Sequence, residues 1–283
     1  MPQLSPRTTP RPPKSAEVAE AKPFLKWVGG KRQLLTQIEP YIPEKYGTYF
    51  EPFTGGGALF FRLQPKKAVL ADSNERLVRT YLGVRDAVEE VIGHLQSYKH
   101  ELSSFEAARA RDIDRESDAE VAAWMIYLNR TGYNGLYRVN SRNVFNVPFG
   151  KYKRPQICSP KILRACSKAL TKTRILHADF ADTVKTAKKG DFVYFDPPYV
   201  PLTKTANFRS YTSQGFEMAD QERLRDLARD LKRRGVTVLL SNSSAPEVKE
   251  LYRDDFELIN VQAARAVNRN ASGRGKVTEL LIR

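Results

Sequence analysis

The sequence predicts an α/β fold in which an open sheet flanked by helices is interrupted by a mostly helical insertion. Three observations carry this. Short apolar runs end in acids at Ala68-Val-Leu-Ala-Asp72, at Arg174-Ile-Leu-His-Ala-Asp179 and at Asp191-Phe-Val-Tyr-Phe195 followed by Asp196. Such runs read as buried strands. The stretch from Tyr49 to Phe61 reads as strand, glycine turn and helix, since Gly55, Gly56 and Gly57 let the backbone turn tightly and approach a ligand. Between about Leu77 and Leu163 the alternation of strand and helix stops, and it resumes afterwards.

Residues 1–21 are rich in Pro, Ser, Thr and charge, lack periodicity and are expected to be disordered. Residues 22–76 carry the first part of the α/β domain, with a loop from Lys26 to Lys31 and a helix starting near Arg32. Residues 77–163 form the insertion. Two helical stretches, about 77–103 and 118–129, precede an Asn/Gly/Tyr-rich loop region that runs to Pro155. Residues 164–283 form the second part. Its strands are expected at 174–179, 192–195 and 236–241, with an amphipathic helix at 221–234 and a terminal antiparallel pair at 257–262 and 277–282. No internal repeat is visible.

The net charge is +15, from 47 Lys and Arg against 32 Asp and Glu, and the excess is local. No acid lies between Glu120 and Asp179, whereas that stretch holds eleven basic residues interleaved with Tyr and Asn. An acid-free basic block of this kind points to a phosphate-binding surface. Two cysteines, Cys158 and Cys166, and three histidines offer neither a disulfide framework nor a zinc constellation, so no metal is expected. His177, at a strand end, reads as structural. No apolar run is long enough to span a membrane and no signal peptide is seen. A cytoplasmic protein is expected.

The most specific segment is Asp196-Pro197-Pro198-Tyr199 at the end of a buried strand. Open α/β sheets bind ligands at the carboxyl ends of their strands. The prolines fix φ and remove two backbone donors, leaving the Pro197 carbonyl as an acceptor. Asp196 adds a second acceptor and Tyr199 a flat face. Two acceptors beside a stacking face suit a planar amino group such as N6 of adenine. Asp72, at the tip of the second strand, sits where such units hold ribose hydroxyls. Gly29-Gly30-Lys31 is not a triphosphate-binding loop, because the earlier glycine and the following Ser/Thr are missing.

Five segments in order give the chain a family likeness: Phe24-Leu-Lys-Trp-Val-Gly-Gly-Lys31, Phe50-Glu-Pro-Phe-Thr-Gly-Gly-Gly57, Tyr127-Leu-Asn-Arg-Thr-Gly-Tyr-Asn-Gly-Leu-Tyr-Arg138, Phe145-Asn-Val-Pro-Phe-Gly-Lys-Tyr152 and Asp196-Pro-Pro-Tyr199. From about Pro23 to Arg283 the chain resembles the Dam-type DNA adenine-N6 methyltransferases (D12 class, alpha group). The resemblance implies a Rossmann-like S-adenosylmethionine-dependent methyltransferase sheet with an inserted DNA-recognition domain. It implies S-adenosylmethionine as donor, S-adenosylhomocysteine as product, no metal, and a flipped adenine in double-stranded DNA as acceptor. Trp27, Gly29, Lys31, Glu51, Pro52, Phe53, Gly55, Asp72, Asp179, Phe180 and Asp196 would bind the cofactor. Asp196, Pro197 and Tyr199 would act on the adenine amino group.

Lys26, Tyr133, Asn134, Leu136, Arg138, Pro148, Lys151, Tyr152 and Lys153 match the family's DNA-contacting segments, with 5′-GATC-3′ as the expected target. Arg138 suits bidentate reading of guanine and Leu136 a thymine methyl. Lys153 and Arg154 read as phosphate contacts. Two features depart from the family pattern: Lys151 stands where other members carry arginine, and Ala266–Asn270 lacks a serine run. The readings left open are a methyltransferase on another planar amino group (cytosine N4, RNA adenine or a glutamine side chain) and a DNA-binding protein with a decayed methyltransferase fold. A monomer is expected, nucleoid-associated through its DNA, with a cognate restriction endonuclease as a further candidate partner.

Overall fold

The computed structural model describes residues 20–199, 216–264 and 276–283. The expectations for residues 1–19 and for Ala266–Asn270 fall outside these. Among the described residues, seven strands form one sheet: β1 (Tyr49–Glu51), β2 (Ala68–Asp72), β3 (Thr173–His177), β4 (Phe192–Phe195), β5 (Thr237–Ser243), β6 (Leu258–Ala264) and β7 (Lys276–Ile282). Their order is β3-β2-β1-β4-β5-β7-β6. β1 to β5 run parallel, with Phe50 opposite both Val69 and Val193. β7 is antiparallel to β5 and to β6, so the expected terminal pair forms. β1 and β4 are the adjacent strands from which the chain leaves in opposite directions along the sheet. The crevice beyond their carboxyl ends is where such sheets place ligands.

β4 is buried throughout. Phe192 and Tyr194 pack into one layer and Val193 and Phe195 into the other, following the period of two along a strand. Helices cover both faces. They are α1 (Leu35–Ile38), α2 (Ala58–Leu63), α3 (Glu75–Asp86), α4 (Val88–Ser97), α5 (Leu102–Ala110), α6 (Asp118–Thr131), α7 (Pro160–Leu170), α8 (Phe180–Thr183), α9 (Met218–Arg233) and α10 (Pro246–Tyr252). None is long and apolar enough to cross a membrane.

α6 begins in a reciprocal cap between Ser117 and Glu120 and is buried almost all round, with Trp124, Tyr127 and Leu128 in the same core as Tyr49 and Leu70 of the sheet. Burying a side chain such as Leu128 contributes roughly 1.5–3 kcal/mol. Gly83 lets α3 cross α6 closely, since a Cβ there would lie 2.3 Å from the Asp118 carbonyl oxygen. The single helical stretch expected over 77–103 is instead α3, α4 and the start of α5. The chain breaks at Ala87 (φ −137°) and is extended at Tyr98 and Glu101. Tertiary contacts explain the second break. Tyr98 stacks on Tyr127 at 4.2 Å, and the Lys99 carbonyl turns out of the helix to accept the Tyr127 hydroxyl at 2.7 Å. Near Arg32 the expected helix is a 3-10 turn, Lys31–Gln33, followed by the short α1.

Candidate active site

Asp196 follows β4 directly, and the two prolines after it contribute no N–H. The loop is fixed from α9 instead. Gln221 Nε2 donates to the Pro198 carbonyl at 3.2 Å, and Asn242 Nδ2 donates to Gln221 Oε1 at 2.9 Å. Both amides are fully buried, where a satisfied network holds one geometry. Pro197 is buried too. Lys31 Nζ lies 2.7 Å from Asp196 Oδ1, donates to the Gly29 carbonyl at 2.7 Å and sits 4.7 Å from the centre of the Tyr199 ring. Lys31 is 5 % exposed and Asp196 19 %, so this pair is little screened by solvent. Tyr199 Oη donates to Glu279 Oε2 at 2.7 Å. Burial raises the pKa of Asp196; the Lys31 charge opposes that rise and Glu279 adds to it. Burial also raises Tyr199 well above the usual phenol range, and Asp196 and Glu279 push the same way.

Glu51 ends β1 beside this group. It is buried and accepts the Tyr49 hydroxyl at 2.8 Å. Burial pushes its carboxyl up to about 8; the Tyr49 bond opposes the shift and Asp196 reinforces it. Pro52 is buried, and Phe53 stacks on Phe180 at 5.4 Å. The turn that follows needs its glycines. Gly55 has φ +47°, and a Cβ there would meet Trp27 Cδ1 at 2.7 Å. Gly55 N donates to Asp72 Oδ2 at 3.0 Å, Asn74 N donates to Oδ1 at 2.9 Å, and the Tyr81 hydroxyl donates to the Gly55 carbonyl at 3.0 Å. The Asp72 carboxyl is raised by burial, against the pull of these backbone donors. Asp179 is exposed, caps α8 through Ala181 N at 2.8 Å and pairs with Arg223, whose guanidinium lies 4.2 Å from the Phe180 ring.

The structure thus brings Trp27, Gly55 and Asp72 into one group and Lys31, Asp196 and Tyr199 into another, with Glu51 beside the second. The basic loop region lies against the Lys26–Trp27 segment. Asn129 Oδ1 accepts Lys26 N at 2.8 Å, while its Nδ2 donates to the carbonyls of Lys26 at 2.8 Å and Gly135 at 2.7 Å. Trp27 stacks on Tyr137 at 5.8 Å, and Lys26 Nζ lies 4.7 Å from the Tyr152 ring centre. Two bridges, Gly132 with Phe149 and Val139 with Phe145, close the loop into a hairpin. Tyr133 is 52 % exposed and donates its N–H to the Pro148 carbonyl. Asn134 (φ +54°), Arg138, Pro148, Lys151 and Lys153 are also exposed, and Leu136 is half-buried against the core. Arg138 Nε donates to Asn146 Oδ1 at 2.7 Å.

Part of the charge in the basic block is already engaged within the protein. Arg164 forms a two-bond pair with Glu89, and Arg130 donates to the Phe24 carbonyl. Tyr49, Gln221, Asn242, Asn129 and Glu279 are site neighbours that the sequence alone does not single out. The available signals were weak: Glu279 is the one acid in β7, and Ser241-Asn242-Ser243 makes a polar end to an apolar strand.

A mostly parallel sheet in this order with one reversed strand, carrying acids at the tips of β1, β2 and β4, is that of a Rossmann-like methyltransferase. Residues 27–267 match the family described as D12 class N6 adenine-specific DNA methyltransferase, and the chain belongs to that family. It is 47 % identical over 269 residues to the type II methyltransferase M1.LlaDCHI of Lactococcus lactis subsp. cremoris, covering 92 % of this chain and 94 % of that protein. It is 40 % identical to the type II methyltransferase M.MjaIII of Methanocaldococcus jannaschii, over 93 % of this chain and 99 % of the relative. It is 36 % identical to the DNA adenine methylase of Vibrio cholerae, over 91 % and 94 % respectively. The resemblance to adenine-specific DNA methyltransferases thus stands over the two readings the sequence left open.

Proposed function

We propose that this protein transfers a methyl group from S-adenosylmethionine to N6 of an adenine flipped out of duplex DNA, in the sequence 5′-GATC-3′. The observation that carries this is the geometry around Asp196. A nitrogen donor, Lys31 Nζ, sits 2.7 Å from one carboxylate oxygen and 4.7 Å from the Tyr199 ring centre. The rim therefore accommodates a nitrogen held by an acid beside an aromatic face. Lys31 pairs with Oδ1, so an incoming amino group would meet Oδ2.

The residues present fit the donor. Glu51 and Asp72 offer acceptors at neighbouring strand tips, Gly55 allows close backbone approach, and the stacked Phe53–Phe180 pair offers an apolar surface for a purine. Trp27, Gly29, Lys31, Pro52 and Asp179 complete that group. When bound, S-adenosylmethionine supplies an electrophilic methyl carbon. Asp196 and the Pro197 carbonyl orient the amino group and stabilise the positive charge that develops on N6. Tyr199 stacks on the base and offsets part of the few kcal/mol that flipping costs. Holding the reactants in line is the larger contribution, because positioning alone can supply several kcal/mol.

Residues 22–76 and 164–283 serve as the catalytic part and residues 77–163 as the target-recognition part. Arg138 reads a guanine, Leu136 a thymine methyl, and Lys26, Tyr133, Asn134, Pro148, Lys151, Tyr152 and Lys153 complete the contact surface. A cognate restriction endonuclease is a natural partner for such an activity, and two of the relatives bear the type II methyltransferase name. The test is transfer from labelled S-adenosylmethionine to duplexes that differ only at one base pair of GATC, followed by identification of the modified base. N6-methyladenine confined to the GATC duplex supports the proposal. Equal labelling of the altered duplexes would overturn the target, and modification of another atom would overturn the acceptor.

A further inference from the structure

We propose that Glu279 is a positioning residue for methyl transfer, holding Tyr199 by its hydroxyl so that the ring stays fixed as the platform for the target base. This rests on the reading above, in which the base stacks on Tyr199. Tyr199 follows two prolines, which supply no N–H groups to anchor the loop. Gln221 holds the Pro198 carbonyl, at the base of the loop. The far end of the ring is held by a different bond, from Tyr199 Oη to Glu279 Oε2 at 2.7 Å. A hydrogen bond to an ionised acceptor is about twice as strong as one between neutral groups.

Glu279 is well placed to serve as an anchor. It lies on β7, opposite Ser243 of β5 in the antiparallel register, so a strand of the sheet carries it and not a loop. β7 runs against β5, which brings its early residues to the carboxyl edge where Asp196 stands. Lys31, between Asp196 and the face of Tyr199, adds a positive charge to the two carboxylates of this group. The ring is thereby fixed at its face by Lys31 and at its tip by Glu279.

The experiment compares Glu279→Ala, Glu279→Gln, Tyr199→Phe and the double variant Glu279→Ala/Tyr199→Phe, with Asp196→Ala as reference. It measures kcat at saturating DNA, KM for the cofactor, and fluorescence of duplexes carrying 2-aminopurine at the target adenine. Glu279→Ala and Tyr199→Phe should each lower kcat about tenfold, equivalent to roughly 1.4 kcal/mol. Cofactor KM should be unchanged, and the flipped-base fluorescence should be brighter because a ring no longer held at its tip stacks on the base less steadily and quenches it less. The double variant should be no worse than either single one, since both remove the same bond. Glu279→Gln keeps an acceptor and should restore turnover to within about threefold.

Wild-type kcat and fluorescence in Glu279→Ala, or losses that add in the double variant, would overturn the assignment. Tyr199→Phe reads the same bond with Glu279 intact, so the question is answered even if Glu279→Ala does not fold. Full activity in Asp196→Ala would instead remove the acceptor-site reading itself. Abolished transfer in Asp196→Ala beside an unaffected Glu279→Ala would remove only the role of Glu279.

Discussion

The Asp196–Tyr199 rim and the hairpin of residues 132–149, with the basic segment that follows it, present side chains in opposite ways. At the rim the side chains are held by protein partners: Asp196 Oδ1 by Lys31, Tyr199 by Glu279 and Glu51 by Tyr49, while Gln221 holds the Pro198 carbonyl. On the hairpin the backbone is pinned, through Asn129 and two bridges, while Tyr133, Lys151 and Lys153 stand exposed. Under the proposed function the difference follows from what each does. Charge that develops in a reaction is stabilised only by groups already in place, in a site that excludes water. Phosphates are met by mobile cations whose binding gains from counterion release, so a fixed geometry adds little there. Arg138 is intermediate, exposed but steadied by Asn146. Changes at the rim should therefore act on turnover, and changes on the hairpin on affinity and preference.

The strongest test of that division is Asp196→Ala. Transfer should fall at least a thousandfold, about 4 kcal/mol of barrier, while DNA affinity falls far less. Single-turnover rates and binding isotherms measured on the same preparation separate the two. Turnover within tenfold of wild type would break the division at its centre.

Glu51 sharpens the same side through pH. Its carboxyl is pushed up to about 8 in the folded protein, from an ordinary value of 4.5. Below about 4.5 it is protonated in both folded and unfolded chains and contributes no pH dependence. Between about 4.5 and 8 the unfolded chain loses the proton and the folded chain keeps it, so the unfolded state binds fewer protons and stability falls as pH rises. The full effect is on the order of a few kcal/mol. Glu51→Gln removes it. The variant's gain in Tm over wild type should be larger at pH 8.5 than at pH 5, and an equal difference at both would mean that Glu51 ionises normally.

How much could be read from the sequence divides along similar lines. The strands, the glycine turn and the Asp-Pro-Pro-Tyr segment are local signals, because burial, turn chemistry and the strand tip are written within a few residues of one another. The neighbours of that segment are not local. Glu279 lies 80 residues from Tyr199 and Asn242 lies 21 from Gln221, and only sheet pairing and the packing of α9 bring them together. Long-range partners also account for the overcount of free basic charge. Arg164 meets Glu89 across 75 residues and Arg130 meets the Phe24 carbonyl across 106. The break after α4 has the same origin, since Tyr127 draws the Lys99 carbonyl away from the helix.

On the hairpin side the largest single effect is expected from Arg138. A bidentate arginine–guanine contact discriminates by about 1–3 kcal/mol. Arg138→Ala should lose about one to two decades of preference for GATC over a duplex altered at that guanine, with kcat on the intact site changed far less. The Asn146 bond to Nε steadies the guanidinium, so Asn146→Ala should reproduce part of the loss without removing the arginine. Equal loss on every duplex would make Arg138 a phosphate contact that contributes affinity and no preference.

The smallest expected effect comes from Lys153, and it tests the hairpin side from its sequence-independent end. Lys153 is exposed in a segment that also carries exposed Lys151 and Arg154. A cation of this kind contributes through phosphate neutralisation, which is blind to sequence. Lys153→Ala should weaken binding to GATC and altered duplexes by the same factor. The slope of log affinity against log salt should become less steep by about one, as one phosphate contact is lost. The measurement is a salt titration of both duplexes with wild type and variant side by side. A loss confined to the GATC duplex at constant slope would give Lys153 a base contact, and the readout surface would then extend past the hairpin into the basic segment after Gly150.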